Sequence, residues 1–180
     1  METGNLKAFN RFYFLVSVIT LVVVVLRCAL VPFSHDEVAT FYFYVQPGKF
    51  LPFLSHPDAN GHFLMSATAW MSFKLFGSSP LALRLPCIAA YLVMCYAVFR
   101  FNKLFLHNVT RSVFSAAFLI SFNFLSFYAL CRGYALSMSF LCLAVYYLVA
   151  YRRSLLQRHF FKFILFSQIA LSANLTLVIV

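Results

Sequence analysis

The stretch that decides the fold is FYFLVSVITLVVVVLRCALVPF, residues 12–33, in which Arg27 is the only charged residue. A helix needs about 20 apolar residues to cross a hydrocarbon core of about 30 Å, and this run is long enough. It is too long for the core of a signal peptide and lacks a small-residue cleavage pattern. We therefore predict an uncleaved first membrane-spanning helix at Phe12–Phe33.

Further apolar runs dominate the rest of the chain, which is 63% apolar and only 10% charged. Soluble domains are typically ~45–50% apolar and ~25% charged, so lipid must be the solvent for much of this sequence. Four more runs reach spanning length: Leu81–Phe101, Ser112–Cys131, Tyr134–Tyr151 and Phe160–Val180. We predict an all-α integral membrane protein with about five transmembrane helices, forming a single module over residues 1–180. Because the last run continues to Val180 without a polar flank, we expect a fragment or a truncated product.

A sixth apolar run, Phe63–Phe76, is too short to cross. It would be about 21 Å long at ~1.5 Å per residue, short of the ~30 Å core. It also carries polar residues and Lys74, and Trp70 suits the headgroup level. We expect a helix lying along the membrane surface.

The positions of the basic residues decide the topology. If Phe63–Phe76 does not cross, Lys7 and Arg11 share a side with segments 100–111 and 151–162, which hold seven Lys and Arg. The positive-inside rule makes that side the cytoplasm. The N-terminus is then cytoplasmic, residues 34–80 form a long outer loop, and Cys131 should be open to a membrane-impermeant thiol reagent. The net charge of +10 reflects these anchors, so we expect no nucleic-acid partner.

The outer loop holds three of the four acids, Asp36, Glu37 and Asp58, together with His35, His56 and His62. Adjacent carboxylates suit a general base toward a hydroxyl, or a site for a hard divalent cation with Asp36 and Glu37 as candidate ligands. The alternative is that both acids cap the helix that follows, Val38–Val45. Residue types alone do not decide between a catalytic or cation-binding role and helix capping.

Four bases lie near the outer end against the topology rule: Arg27, Lys74, Arg84 and Arg132. Each could simply snorkel to the interface. Together they could bind a phosphate or pyrophosphate at the headgroup level. Arg132-Gly133-Tyr134 is either a plain hairpin turn with an aromatic belt residue or a turn that directs Arg132 toward the acids.

In order and spacing, these features resemble the polytopic GT-C type glycosyltransferases, most closely the family 39 and aminoarabinose-transferase relatives common in bacteria. Four segments carry the resemblance. They are Ser34-His35-Asp36-Glu37, the stretch from His56 to His62, Leu75–Pro86 with its Leu-Arg-Leu-Pro end, and Arg132-Gly133-Tyr134-Ala135. Members of the family usually have several hundred residues and about a dozen spans, whereas this sequence has five.

The resemblance implies transfer of a sugar from a polyprenyl-phosphate donor to an acceptor glycan, lipid or protein, in a bacterial inner membrane. Asp36 matches the family's catalytic acid in the first outer loop, and Glu37 would assist it through a cation or by orienting groups. Arg132 and Arg84 would neutralise the carrier phosphate. The other substrate-binding candidates are Tyr134, His56, Asp58, Asn60 and His62.

Two other classes stay open. A truncated chain is also compatible with a non-catalytic membrane subunit or an inactive remnant. A bundle with outer bases could transport a small anion, but the middle of each span carries almost no ionisable residue, which disfavours transport.

Overall fold

The computed structural model describes residues 2–51, 53–54 and 61–174, and every element of regular structure in these ranges is helical. The helices are α1 (Glu2–Leu30), α2 (His35–Thr40), α3 (Phe63–Phe76), α4 (Pro80–Asn102), α5 (Asn108–Leu119), α6 (Phe122–Tyr128), α7 (Tyr134–Ser154) and α8 (Gln157–Ala173). A short π-helical segment, Phe41–Val45, continues directly from α2.

Among the described residues, three helices are long and apolar enough to cross a membrane: α1 over Leu6–Leu30, α4 and α7. A fourth candidate is the pair α5 and α6, which is bent by 47° at the break between them. This bend corrects the predicted continuous span Ser112–Cys131. The break falls at Ile120 and Ser121, and serine is a residue type that favours caps and turns over helix interiors. The structure therefore supports three to four membrane-spanning helices. The fifth stays a prediction, because the run Phe160–Val180 extends beyond the described residues.

The helix ends gather at two opposite ends of the bundle. At one, which we call the acid end, Arg84 of α4 contacts the carbonyls of Cys28 and Val31, and Cys131 contacts Glu37. At the other, the basic end, the Arg111 guanidinium lies 5.9 Å from the Phe9 ring and donates to the Asn102 carbonyl. Each spanning element therefore runs from one end to the other.

Helix α3 has the bounds that the apolar run predicted, and both of its ends lie at the acid end. His62, just before α3, packs its ring 5.9 Å from the ring of Tyr134, the first residue of α7. After Phe76 only three residues precede Pro80, which starts α4 at the same end. Helix α3 contacts α4 and α8.

Helix α4 is central and contacts α1, α3, α5, α6 and α7. Its buried Tyr91 hydroxyl donates to Thr20 Oγ1 at 2.6 Å, and its ring meets the Tyr128 ring edge-on. The Tyr128 hydroxyl is in turn paired with Ser139 Oγ at 2.7 Å. These buried hydroxyls stabilise the packing because each has a hydrogen-bond partner.

The expectation for Cys131 needs correction. The residue lies at the acid end, but only 3% of it is exposed, and its thiol donates to the Leu83 carbonyl. A water-soluble thiol reagent would not reach it. A labelling test of the membrane topology therefore needs cysteines at exposed positions.

Candidate functional site

A buried ion pair between Glu37 and Arg84 holds the acid end together. Neither side chain is exposed, and two parallel hydrogen bonds of 2.8 Å join Arg84 Nε and Nη2 to the two carboxylate oxygens. The other three N–H groups of Arg84 donate to the carbonyls of Cys28, Val31 and Pro32, at 2.7–3.1 Å. All five donors of the guanidinium are used. Because orphan carbonyls at the end of α1 are satisfied this way, the ion pair also caps that helix.

The Glu37 carboxylate is equally well satisfied. Besides Arg84 it accepts from the backbone N–H of Cys131 at 2.6 Å and from the backbone N–H and hydroxyl of Ser34 at 2.9 and 3.1 Å. Ser34 and Glu37 form a capping box at the start of α2. Burial alone would raise the pKa of Glu37, but these hydrogen bonds and the Arg84 charge outweigh it, so the pKa is lowered.

This geometry bears on two predicted roles. A phosphate contact from Arg84, or a cation or catalytic contact from Glu37, would require the pair to open. Those roles stay predictions. The capping alternative drawn from the sequence is present in the structure for Glu37.

Asp36 points away from this pair. Its side chain is 42% exposed, and Oδ2 accepts a 2.7 Å hydrogen bond from Arg132 Nη1. The exposed His35 ring lies beside it, with Nδ1 3.8 Å from Oδ1. The Arg132 side chain is 21% exposed. Asp36 and Arg132 thus form a partly open acid–base pair directly beside the buried one.

An aromatic wall supports Arg132. Its guanidinium carbon lies 5.0 Å from the centre of the Tyr134 ring, a cation–π distance. Tyr134 packs between Phe127 and His62, at 5.2 and 5.9 Å between ring centres. His62 is 5% exposed, and its Nε2 has no hydrogen-bond partner among the described residues. Burial and the Arg132 charge lower the pKa of His62, so its ring is neutral at pH 7.

Gly133 allows the chain to pass close to α8 at this site. A Cβ atom at this position would lie 1.9 Å from the Ala173 carbonyl oxygen and 2.9 Å from His62 Cγ. Only glycine fits such an approach. The end of α8 is therefore part of the site wall, which the sequence did not indicate because the contact is with backbone.

The structure brings together residues from all four segments that carried the resemblance. Asp36 and Glu37 come from the first, His62 from the second, Arg84 from the third, and Arg132 with Tyr134 from the fourth. The candidates His56, Asp58 and Asn60 lie outside the described residues. Sequence reasoning missed the backbone contributions of Cys131 and of the end of α1, which carry no side-chain signal.

Binding of a divalent cation by Asp36 and Glu37 together would require the Glu37 carboxylate to leave its present partners. The Glu37 oxygens already accept from Arg84, Cys131 and Ser34, while Asp36 faces outward. In the described ranges, His, Cys, Asp and Glu side chains form no group of three or more that could hold a metal ion.

Comparison of the chain with protein-family models, with curated proteins and with solved structures finds no match.

Proposed function

We propose that this chain is a GT-C type glycosyltransferase module, which transfers a sugar from a polyprenyl-phosphate donor to an acceptor at the outer face of the membrane. The observation that carries the proposal is the Asp36–Arg132 pair, 2.7 Å apart and partly exposed at the end of an apolar helical bundle. A carboxylate suits deprotonation of a hydroxyl, and a guanidinium suits binding of a phosphate. Their position beside the apolar helices suits a donor whose carrier is a lipid.

The proposed reaction assigns one step to each group. Asp36 accepts the proton of the acceptor hydroxyl as that oxygen bonds to the anomeric carbon of the sugar. The bond from this carbon to the carrier phosphate breaks, and polyprenyl phosphate leaves with the electron pair. Arg132 stabilises the negative charge on the leaving phosphate.

The buried Glu37–Arg84 pair positions these two groups. Glu37 follows Asp36 in the chain, and its carboxylate binds the backbone N–H of Cys131, the residue before Arg132. One ion pair therefore fixes the backbone on both sides of the site. Such support is what keeps catalytic groups within a fraction of an ångström of a productive geometry.

The proposal includes a finer topology: five spans, a cytoplasmic N-terminus, and α3 along the outer surface. It is supported by the concentration of Lys and Arg at the basic end and by the position of both ends of α3 at the acid end. A bacterial inner membrane is the location that the resemblance suggests.

The test is sugar transfer in membranes that contain the protein, with a panel of radiolabelled polyprenyl-phosphate sugars. Asp36→Asn keeps the size of the side chain but removes its basicity, so transfer should fall ~10²–10⁴-fold at a normal protein level. Arg132→Gln should mainly raise the donor KM, because the base remains. Lys49→Gln, an exposed base in the outer loop, is the matched control and should transfer at the wild-type rate.

Two results would overturn the proposal. One is the absence of transfer from every donor in wild-type membranes, relative to membranes without the chain. The other is transfer by Asp36→Asn and Arg132→Gln at the level of Lys49→Gln. In the second case Asp36 and Arg132 supply no chemistry, and a non-catalytic membrane subunit becomes the better description.

A further inference from the structure

The basic end carries a high positive charge that the described residues do not neutralise. The ion pairs formed within the described ranges are Arg84–Glu37, Arg132–Asp36 and a histidine contact to Asp36, all at the acid end. The bases at the opposite end are Lys7, Arg11, Arg100, Lys103, Arg111, Arg152, Arg153, Arg158 and Lys162. Glu2 is the only acid that the sequence places near them.

Arg100, in the last turn of α4, is held by two tyrosine hydroxyls. Its Nε and Nη2 donate to the Tyr146 hydroxyl at 3.2 and 2.8 Å, and its Nη1 donates to the Tyr96 hydroxyl at 2.6 Å. The guanidinium carbon also lies 4.9 Å from the centre of the Tyr146 ring. Two of the five N–H groups have no acceptor among the described residues. The group is held in place by neutral partners, and its charge remains available.

Helix α8 adds two cations to the same surface. The ring of Tyr147 lies 5.1 Å from that of Tyr146, and Lys162 Nζ lies 5.1 Å from the centre of the Tyr147 ring. His159 meets Tyr147 edge-on at 5.9 Å, and Arg158 beside it is exposed. Partial burial and the charges of Arg158, Lys162 and Arg100 lower the pKa of His159. These neighbouring charges have no carboxylate between them in the described ranges.

We propose that Arg100, Arg158 and Lys162, which we call the α4/α8 cation surface, bind the phosphate headgroup of an anionic phospholipid. The surface lies where α4 ends and α8 begins, the depth at which headgroups meet apolar helices. Next to Lys162 the exposed side chains of α8 are apolar: Phe161 and Leu165 are more than half exposed, and Ile164 is 40% exposed. A phospholipid satisfies both parts, because its phosphate meets the cations and its acyl chains cover the apolar face. This inference is independent of the proposed enzymatic function.

The experiment is native mass spectrometry of the full chain, released from detergent with equal amounts of phosphatidylglycerol and phosphatidylcholine that share the same acyl chains. The wild type should retain phosphatidylglycerol preferentially. Each charge removed from the surface should reduce that preference roughly fivefold, so Arg100→Gln with Lys162→Gln should remove most of it. Lys49→Gln removes an exposed base in the outer loop and should leave the preference unchanged.

Further variants separate binding from folding. Arg100→Lys keeps the charge and should keep most of the preference. Lys162 is exposed, so Lys162→Gln leaves packing intact, and a wild-type preference in this variant overturns the proposal. Displacement of bound phosphatidylglycerol by inorganic phosphate alone also overturns it, since the surface would then be a site for free phosphate.

Discussion

Asp36 and Glu37 are neighbours in the sequence, but their carboxylates lie in different environments. The Glu37 side chain is fully buried and receives hydrogen bonds from Arg84, Cys131 and Ser34, whereas that of Asp36 is 42% exposed and pairs with Arg132. Successive residues at the start of a helix point about 100° apart, so one faces the bundle and the other the solvent. The pair therefore divides into a structural acid and a candidate catalytic acid.

At the scale of single residues, the sequence predicted part of the site. It identified the two acids, the turn at Arg132 and the possibility of capping. It could not identify Arg84 as the partner of Glu37, because 47 residues separate them and the pairing depends on how α4 packs against α1. Nor could it assign different roles to Asp36 and Glu37, since both are carboxylic acids and differ only in burial.

Glu37→Gln should destabilise the protein strongly. The substitution keeps the shape of the side chain but leaves the Arg84 charge buried without a counter-ion, and breaking a buried pair costs ~3–5 kcal/mol. Thermal unfolding in detergent should show a large drop in Tm. Asp36→Asn is the matched control in the adjacent residue, and its Tm should stay near that of the wild type. Equal Tm values for the two variants would contradict the structural role of Glu37.

The same prediction has a pH signature. Because the pKa of Glu37 is lower in the folded chain than in the unfolded chain, its stabilisation is fully present above the unfolded pKa of about 4.3. It is lost as the pH falls through the lower folded pKa. The difference in stability between wild type and Glu37→Gln should therefore be constant near neutral pH and shrink below about pH 4.3. The lowered pKa of His62 affects both proteins alike and cancels from this difference.

At the scale of elements, apolar run length predicted the helices well and their interruptions poorly. The bounds of α3 coincide with the predicted run, and α4 differs from its run by one residue at each end. The bend between α5 and α6 was missed, because hydropathy averages over the single polar residue at 121, where the helix breaks. The contact of α8 with Gly133 was also missed, since one sequence does not reveal which backbones approach each other.

Gly133→Ala should loosen the end of α8. The added Cβ would lie 1.9 Å from the Ala173 carbonyl oxygen, so one of the two backbones must move, and overpacking of this kind typically costs ~1–3 kcal/mol. Hydrogen exchange of the backbone amides at residues 168–174 should become faster. Gly77→Ala is the control, because a Cβ there meets nothing within 4 Å. It places strain on the local backbone only, so exchange in α8 should not change.

Unchanged exchange at 168–174 in Gly133→Ala would contradict the close contact. The variant also connects structure to function. Because His62 is the other neighbour of the added atom, the aromatic wall behind Arg132 should shift with it. In a protein active in sugar transfer, Gly133→Ala should therefore raise the donor KM more than Gly77→Ala does.

For the molecule as a whole, the separation of charge is the feature that the sequence and the structure share. The sequence alternates apolar runs with basic segments, and the helices collect those segments at one end. Asp36 and Glu37 lie at the other end, where they pair with Arg132 and Arg84. Which end faces the cytoplasm follows from the positive-inside rule, and this orientation is what a labelling experiment must establish.

The last prediction concerns that orientation and the path of α3. Cysteines introduced at Phe53, Ser78 and Leu106 occupy exposed positions before α3, after α3 and at the basic end. If α3 lies along the outer surface, an impermeant maleimide should label the first two in intact cells and the third only after permeabilisation. If α3 crosses the membrane, Ser78→Cys should be protected and Leu106→Cys labelled. The native cysteines are buried or half-buried, so the unmodified protein supplies the baseline.

The two topologies exchange the results at positions 78 and 106. Labelling of Leu106→Cys from outside would therefore reverse the predicted orientation of the helices that follow α3. Asp36 would remain at the outer end with α1, but Arg84 at the start of α4 and Arg132 just before α7 would lie on the opposite side and could no longer reach it. Labelling at 53 and 78 alone would therefore support the orientation and the assembly of the site together.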